Sequence, residues 1–365
     1  MMKKMLTVLL ALLSAAVILS VSVLVPSAVM SQDRLNEADG EETGEDGDGE
    51  EIDLSSASRL AGNGFSLVSL FIPSAQAEET EDGAADGQNV YVLSDDLYTG
   101  GSKPLSSGYT RDEDGNIVRY KDETIDVKLE TRYDEEKKIS WRIAYVTVQS
   151  ATQLRTAVAS TKVTGSKTAV PTSLAAKYNA VVAINGDDYQ NGKDAKSFEV
   201  RMGQKVRSKI NKKRDLLIID QNGDLRIFVK SDSDEIKQYL ADGHTAVQAF
   251  TFGPALVIDG CECAIPQDYK YNPNKPEPRC AIGQTGPLSY VLVVAEGRDE
   301  SNSAGATMAQ LAEFMCYEMG CEQAYNLDGG NSATMVVGGK LYMDPSHRER
   351  DLNDILYFAS AITEE

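Results

Sequence analysis

Ala324-Tyr325-Asn326-Leu327-Asp328-Gly329-Gly330-Asn331-Ser332-Ala333-Thr334-Met335 is the stretch on which the reading of this chain turns. Its apolar lead-in reads as a strand, gives way to short polar side chains around two glycines, and returns to apolar sequence at Met335-Val336-Val337. Bare glycine backbone among Asn, Asp, Ser and Thr makes a tight turn that can approach another group closely. By itself that is also the chemistry of an ordinary strand-to-strand turn. The surrounding chain has to decide between the two.

Outward from this stretch the sequence is strand-rich with legible turns. Segments 216–220 and 225–230 flank Gln221-Asn222-Gly223-Asp224, segments 255–258 and 261–265 flank Asp259-Gly260, and 334–337 and 340–343 flank Gly338-Gly339. Each reads as a hairpin. Further apolar runs cover 141–148, 180–184 and 290–295. The clearest helix is 307–320, where Met308, Leu311, Ala312, Met315 and Met319 recur at helical spacing. Thr307 and Gln310 form a capping box and Gly320 a stop. Shorter helices are expected at 172–178 and 233–240. Hairpins mixed with few helices predict an α+β fold: a mixed, hairpin-rich β-sheet flanked by helices in a single catalytic domain.

The ends of the chain carry different information. Lys3 and Lys4 precede a charge-free stretch from Met5 to Gln32 that is apolar through 6–25. Its length favours an uncleaved anchor over a cleaved signal, because a spanning helix needs about 20 apolar residues. The two lysines mark the cytoplasmic side, so the remainder is expected to be extracellular. The formal net charge of −20 is concentrated: residues 33–53 hold eleven acidic groups and one basic, and 78–96 hold seven acidic and no basic. Such sequence cannot bury a core and reads as an extended tether. The expected organisation is therefore an anchor or signal segment (1–30), an acidic low-complexity linker (31–89), a polar extension or edge hairpin (90–122) and the catalytic domain (123–365). No basic patch exists to neutralise phosphates along a nucleic acid. Five cysteines in an exported chain could form two disulfides, with cross-links between Cys261/Cys263 and Cys316/Cys321 among the options. Asp112-Glu113-Asp114-Gly115-Asn116 reads as a turn, since it lacks the spaced ligands and closing glutamate of a Ca²⁺ loop.

Four polar clusters end apolar strands, where functional loops sit on a rigid scaffold. They are Ala183-Ile184-Asn185-Gly186-Asp187-Asp188-Tyr189, Pro278-Arg279-Cys280-Ala281-Ile282-Gly283-Gln284, Ala295-Glu296-Gly297-Arg298 with Ser301 and Gly305, and the opening stretch. In this order they resemble the phosphodiester glycosidase family, relatives of the enzyme that removes N-acetylglucosamine from a phosphodiester to uncover mannose 6-phosphate. Members read A-I-N-G-x-Y/F, then P-R-T-A-I-G, then D-G-R with S-x-G, then L-D-G-G-G-S-S-T-M. The resemblance spans 141–362. Here Glu296 stands for the usual Asp, Cys280 for Thr, Asn331 for the third glycine and Ala333 for the second serine.

The resemblance implies a hydrolase that cleaves a sugar, of the N-acetylglucosamine kind, from a glycosyl-1-phosphodiester on a cell-surface glycan or exopolysaccharide. Such a reaction needs carboxylates to manage protons and oxocarbenium charge, and cations or N–H groups for the phosphate. Asp328 is assigned as the central carboxylate, with Asp187 or Glu296 as its partner. Arg279 and Arg298 are assigned to the phosphate, because a planar guanidinium grips two oxygens; pairing of these arginines with Asp328 and Glu296 is the competing, purely structural reading. Asn185, with Gly186 beside it, and Asn326 would meet sugar hydroxyls. Gly329 and Gly330 would offer backbone N–H groups, with Ser332 and Thr334 as further substrate-binding candidates. No cofactor is certain; oxygen ligands on the Asp/Asn loops make Ca²⁺ the candidate metal. The alternative function is a non-catalytic glycan-binding module on a membrane stalk, motivated by the four departures. Serine hydrolysis is weaker: Gly330–Thr334 falls one residue short of G-x-S-x-G, and Asp344 lies too near His347 in sequence for a dispersed triad.

Overall fold

The computed structural model describes residues 100–187, 198–299, 302–344 and 346–362. The expected membrane segment and acidic linker lie outside these residues, as do Asp188 and Tyr189 of the first polar cluster. Among the described residues no helix is long and apolar enough to cross a membrane.

The architecture is mostly β, with three sheets. The first has nine strands in the spatial order Tyr109–Arg111, Ile117–Lys121, Ile125–Asp134, Ile139–Val148, Ser289–Ala295, Arg279–Gly286, Gln323–Leu327, Ala255–Ile258 and Cys261–Glu262. The second has five: Leu225–Phe228, Leu216–Asp220, Ala246–Phe250, Glu199–Arg201 and Gln204–Arg207. The third also has five: Lys340–Leu341, Met335–Val337, Ala180–Asn185, Asp354–Ala359 and Leu154–Val158. The expected mixed sheet is thus replaced by sheets whose described strand pairings are all antiparallel, including the long pairs of the first sheet. Parallel neighbours need a crossover of about a dozen residues or more, whereas tight turns at Asn222-Gly223, Asp259-Gly260 and Gly338-Gly339 close the hairpins here. In the first of these, Asp220 Oδ1 accepts the N–H groups of Asn222 (2.8 Å) and Asp224 (3.0 Å).

Both faces of the central strands of the first sheet are buried, which explains their continuous apolar sequence, whereas its edge strands Tyr109–Arg111 and Cys261–Glu262 are largely exposed. Ile282, Leu292 and Val294 point into a central core shared with Val182, Ile184, Leu217, Ile219, Leu356 and Phe358 of the other two sheets. Their neighbours Ala281, Val291 and Val293 face the other way, onto Met308, Leu311 and Met315. That outer layer is the helix Met308–Glu313 and the π-helical turn Phe314–Glu318 that continues it. Its start is fixed as the sequence suggests: Gln310 N–H donates to Thr307 Oγ1 (3.2 Å) and Thr307 N–H to Gln310 Oε1 (2.8 Å). Trp141 and Phe314 stack at 4.0 Å between the layers. Helix Ser233–Ala241 covers the outer face of the second sheet through Ile236, and helix Pro171–Lys177 that of the third through Leu174 and Ala175. All five cysteines are free thiols, so no disulfide joins the elements that carry them; Cys316 instead donates its S–H to the Gly260 carbonyl at 3.5 Å.

Register brings the polar clusters to one edge. Arg279 is opposite Ala295, Ala295 opposite Trp141, and Cys280 opposite Leu327, so Pro278, Glu296 and Asp328 leave the first sheet at a common end. In the third sheet Ile184 is opposite Met335 and Asn185 opposite Ile355. Residues 328–334 are therefore not a hairpin turn. They cross from the first sheet to the third.

Candidate functional site

The crossover is held by one side chain. Asn185 is buried, donates from Nδ2 to the Asp328 carbonyl (2.7 Å), and accepts the Thr334 N–H at Oδ1 (3.1 Å). It thereby ties both ends of the segment to the strand Ala180–Asn185. Asp328 N–H donates to the Gly186 carbonyl (3.3 Å) and Gly330 N–H to the Pro278 carbonyl (2.8 Å). A Cβ on Gly329 would lie 2.8 Å from that Pro278 oxygen, which accounts for the glycine. Asp328 is half-buried and lies outside the residues that line the neighbouring cleft, and its Oδ1 accepts the Gly329 N–H at 2.8 Å.

Beside the crossover lies a cleft of about 660 Å³, into which Glu296, Arg298, Gly330, Asn331, Asp344 and His347 face. Glu296 is buried and fixed at both oxygens, by Arg142 Nη2 (3.0 Å) and by the Asp344 N–H. Arg298 adopts a left-handed backbone (φ 64°) and lays its guanidinium over Gly330. Its Nε donates to Glu277 Oε2 at 2.7 Å and its Nη1 donates to Asn331 Oδ1. His347 Nε2 is 3.2 Å from Thr334 Oγ1. Burial holds its pKa below the ordinary 6.5, against the opposing fields of Glu296 and Glu349. Arg348 and Arg350 complete the cationic side of the cleft.

The remaining assigned residues sit around this edge but outside the lining of the cleft. Asp187 Oδ2 accepts the Thr251 N–H (2.9 Å), and its own N–H donates to Asp354 Oδ1 (3.2 Å). It borders a buried cation: Arg201 is fully enclosed, 2.7 Å from Asp354, 3.3 Å from Glu199 and 3.7 Å from Asp187. Burial raises the pKa of Glu199 and of Asp354, while the Arg201 charge opposes the rise. A Cβ on Gly186 would meet Asp354 Oδ1 at 2.3 Å, so glycine lets this cluster pack under the crossover. Arg279 is buried and donates to four backbone carbonyls: Ala306 (3.0 Å), Tyr271 (3.1 Å), Asn272 (2.7 Å) and Lys275 (3.0 Å). Neither Arg279 nor Arg298 forms an ion pair with Asp328 or Glu296 among the described residues; Arg298 pairs with Glu277 and Glu296 with Arg142. Asn326 donates to the Gly253 carbonyl (2.6 Å), while its Oδ1 is buried without a hydrogen-bond partner among the described residues, as is Ser332 Oγ. His347 meets Thr334 and not Ser332, which removes the geometric basis for serine hydrolysis.

Among the described residues no group of three or more His, Cys, Asp or Glu side chains is arranged to hold a metal ion. Asp187 faces Arg201 and Asn185 is committed at both ends of its amide, while Asp188 of the same loop lies outside the described residues. Arg142, Arg348 and Arg350 carry no assignment from the sequence, and Asp344 and His347 enter there only as members of a poor triad. For all but Arg142 the one sequence signal is the density of ionisable groups over 344–351, directly after the third hairpin.

Residues 178–359 match the sequence family described as phosphodiester glycosidase. The SPbeta prophage-derived uncharacterized protein YomE of Bacillus subtilis (strain 168) is 25% identical over 171 residues, covering 46% of this chain and 26% of that protein. The chain thus spans about a quarter of the length of that curated relative. Among solved structures, the catalytic domain of zebrafish N-acetylglucosamine-1-phosphodiester alpha-N-acetylglucosaminidase, auto-inhibited by its pro-peptide, superposes with a TM-score of 0.52 at 18% identity. That likeness covers 71% of this chain and 87% of the zebrafish one, and it is a likeness of fold. A hypothetical protein from Synechocystis matches with a TM-score of 0.44 and 14% identity, over 64% of this chain and 62% of that one.

Proposed function

Because this chain belongs to the phosphodiester glycosidase family, we propose that it hydrolyses the bond between an anomeric carbon and a phosphodiester oxygen, releasing an N-acetylglucosamine-like sugar. The observation that carries this reading is the convergence of four strand-end clusters at one edge, where the crossover that begins at Asp328 contributes Gly330 and Asn331 to a cleft lined by Glu296 and Arg298. Asp328 is the carboxylate that stabilises oxocarbenium charge or delivers water. Glu296, held rigidly by Arg142 and the Asp344 N–H, faces the cleft and is its working partner. Asp187 takes the alternative partner role; its bond to the Thr251 N–H sets its orientation. A phosphate leaves more readily than a sugar alcohol, so protonation of the leaving group matters less here than in ordinary glycosidases.

Arg298 is the phosphate ligand, with Arg348 and Arg350 lining the same cleft. Arg279 braces the 271–275 loop through carbonyls in this conformation, and phosphate binding by it requires those bonds to be exchanged. Asn185, Gly186, Asn326, Gly329, Gly330, Ser332 and Thr334 form the frame of the substrate-binding edge. The charge-free segment 5–32 and the acidic residues 33–53 support an extracellular, membrane-anchored enzyme acting on a cell-surface polysaccharide.

The internal commitments of Arg279, Asp187 and Glu296 favour a second reading, a glycan-binding module without turnover. Incubating the purified protein with UDP-N-acetylglucosamine and with simpler N-acetylglucosaminyl phosphodiesters, and measuring free sugar, separates the two. Release that is lost in Asp328→Asn is the expected result. Release that survives this substitution removes Asp328 from the chemistry, and binding without release across the panel establishes the module.

A further inference from the structure

A second cleft, of about 560 Å³, lies directly against the first. Met343 lines both. Arg142 connects the two: it lines the second cleft with Nη1 on Thr131 Oγ1 (2.8 Å), while its Nη2 reaches Glu296 in the first (3.0 Å). The backbone passes from one to the other, with Tyr342 lining the second and Asp344 the first.

Three cations, Arg111, Arg142 and Lys340, line the second cleft with one carboxylate, Asp112, whose oxygens accept the Asn116 N–H (2.8 Å) and Nδ2 (3.2 Å). Arg111 donates to the Gly115 carbonyl (2.8 Å), and neither it nor Lys340 has a carboxylate partner among the described residues. Leu129, Val337 and Tyr342, whose hydroxyl is 3.1 Å from Thr131 Oγ1, line the same cleft. Cations that share a cleft with apolar and aromatic side chains suit a sugar or polyol unit that carries a phosphate.

We propose that this cleft is a subsite for the leaving side of a polymeric substrate: it holds the next phosphate-bearing unit of a glycan whose glycosyl phosphodiester occupies the first cleft. The inference rests on the reading of the first cleft as the hydrolytic site, from which the second substituent of a bound phosphodiester reaches the second cleft past Met343, the residue that lines both. One wall is the hairpin of Tyr109–Arg111 and Ile117–Lys121, which lies outside the family-matched residues 178–359. This chain's choice among phosphodiesters is therefore set in part by a segment beyond the matched region.

The test uses the double variant Arg111→Ala/Lys340→Ala, both side chains exposed and neither in the catalytic cleft. Two substrates are compared: the methyl ester of N-acetylglucosamine 1-phosphate, which ends at the phosphate, and a synthetic trimer of N-acetylglucosamine 1-phosphate units joined through phosphodiesters. The KM for the trimer should rise about three- to tenfold with kcat unchanged, as expected for two exposed charge contacts, while kinetics on the methyl ester stay at wild-type values. Equal loss on both substrates, or wild-type KM for the trimer, overturns the subsite. Should the wild-type protein turn over neither substrate, the hydrolytic reading falls on its own, and calorimetric titration with the trimer decides the subsite. Binding weakened by the same factor in the double variant retains it; unchanged binding, or equal displacement by inorganic phosphate alone, refutes it.

Discussion

Glu296 stands where the family motif carries aspartate, and its carboxylate meets Arg142 on one side and the Asp344 N–H on the other. Asn331, in place of a third glycine, accepts a hydrogen bond from Arg298, and Ala333 is buried in the central core. Three departures that look like losses in sequence are thus occupied positions in the folded protein. His347 yields a prediction at this scale. Its folded pKa lies below 6.5, so the folded state binds fewer protons than the unfolded one between the two values. Stability contributed by the neutral imidazole is therefore present above 6.5 and lost as pH falls through the folded pKa. Since the chain has two histidines, NMR titration with His244→Gln as the assignment variant should find His347 titrating below 6.5. His347→Gln should remove that component of the acid sensitivity seen in denaturant melts, and a titration midpoint above 6.5 would contradict the burial argument.

At the scale of elements, backbone contact controls the loops that carry the site. Gly305 has φ +96°, and a Cβ there would lie 2.7 Å from Glu277 N. Gly243 has φ +97° with nothing within 4 Å of its added Cβ. The two therefore separate conformational strain from steric clash. Gly243→Ala should cost about 1–2 kcal/mol for the left-handed backbone alone. Gly305→Ala should cost about 2–5 kcal/mol, because overpacking against immovable backbone adds to the same strain. Urea unfolding of both variants checks this, and equal costs would mean that the 277–306 contact yields freely. The elements themselves were largely legible beforehand. Three hairpins, the strands at 141–148, 180–184 and 290–295, and the capped helix at Thr307 all form, because tight turns and caps are written in neighbouring residues. The mixed sheet was not, since pairing direction depends on partners distant in sequence.

For the molecule as a whole, the buried Arg201 couples the second sheet to the third through Asp354. Arg201→Met should destabilise by about 3–5 kcal/mol, because it takes the cation from the buried Asp354 while Glu199 keeps Arg207 at 3.0 Å. Glu199 and Asp354 have raised pKa values, so their contribution is fully present below the unfolded carboxylate range and lost as pH rises through the folded values. Removing the cation raises those values further, and thermal melts should show a larger deficit for the variant at about pH 8 than at about pH 5; a pH-independent deficit would mean that the carboxylates do not carry the effect. Of the assigned site, the sequence by itself determined the four strand-end clusters, their order and the family they resemble, since these are local patterns of glycine and short polar side chains. Only the tertiary structure decided that 328–334 is a crossover between sheets, that Asn185 and Arg279 are committed to backbone, that His347 lines the cleft and that Arg142 holds Glu296 there. Those assignments depend on which loops share a sheet edge, and strand register across more than a hundred residues sets that.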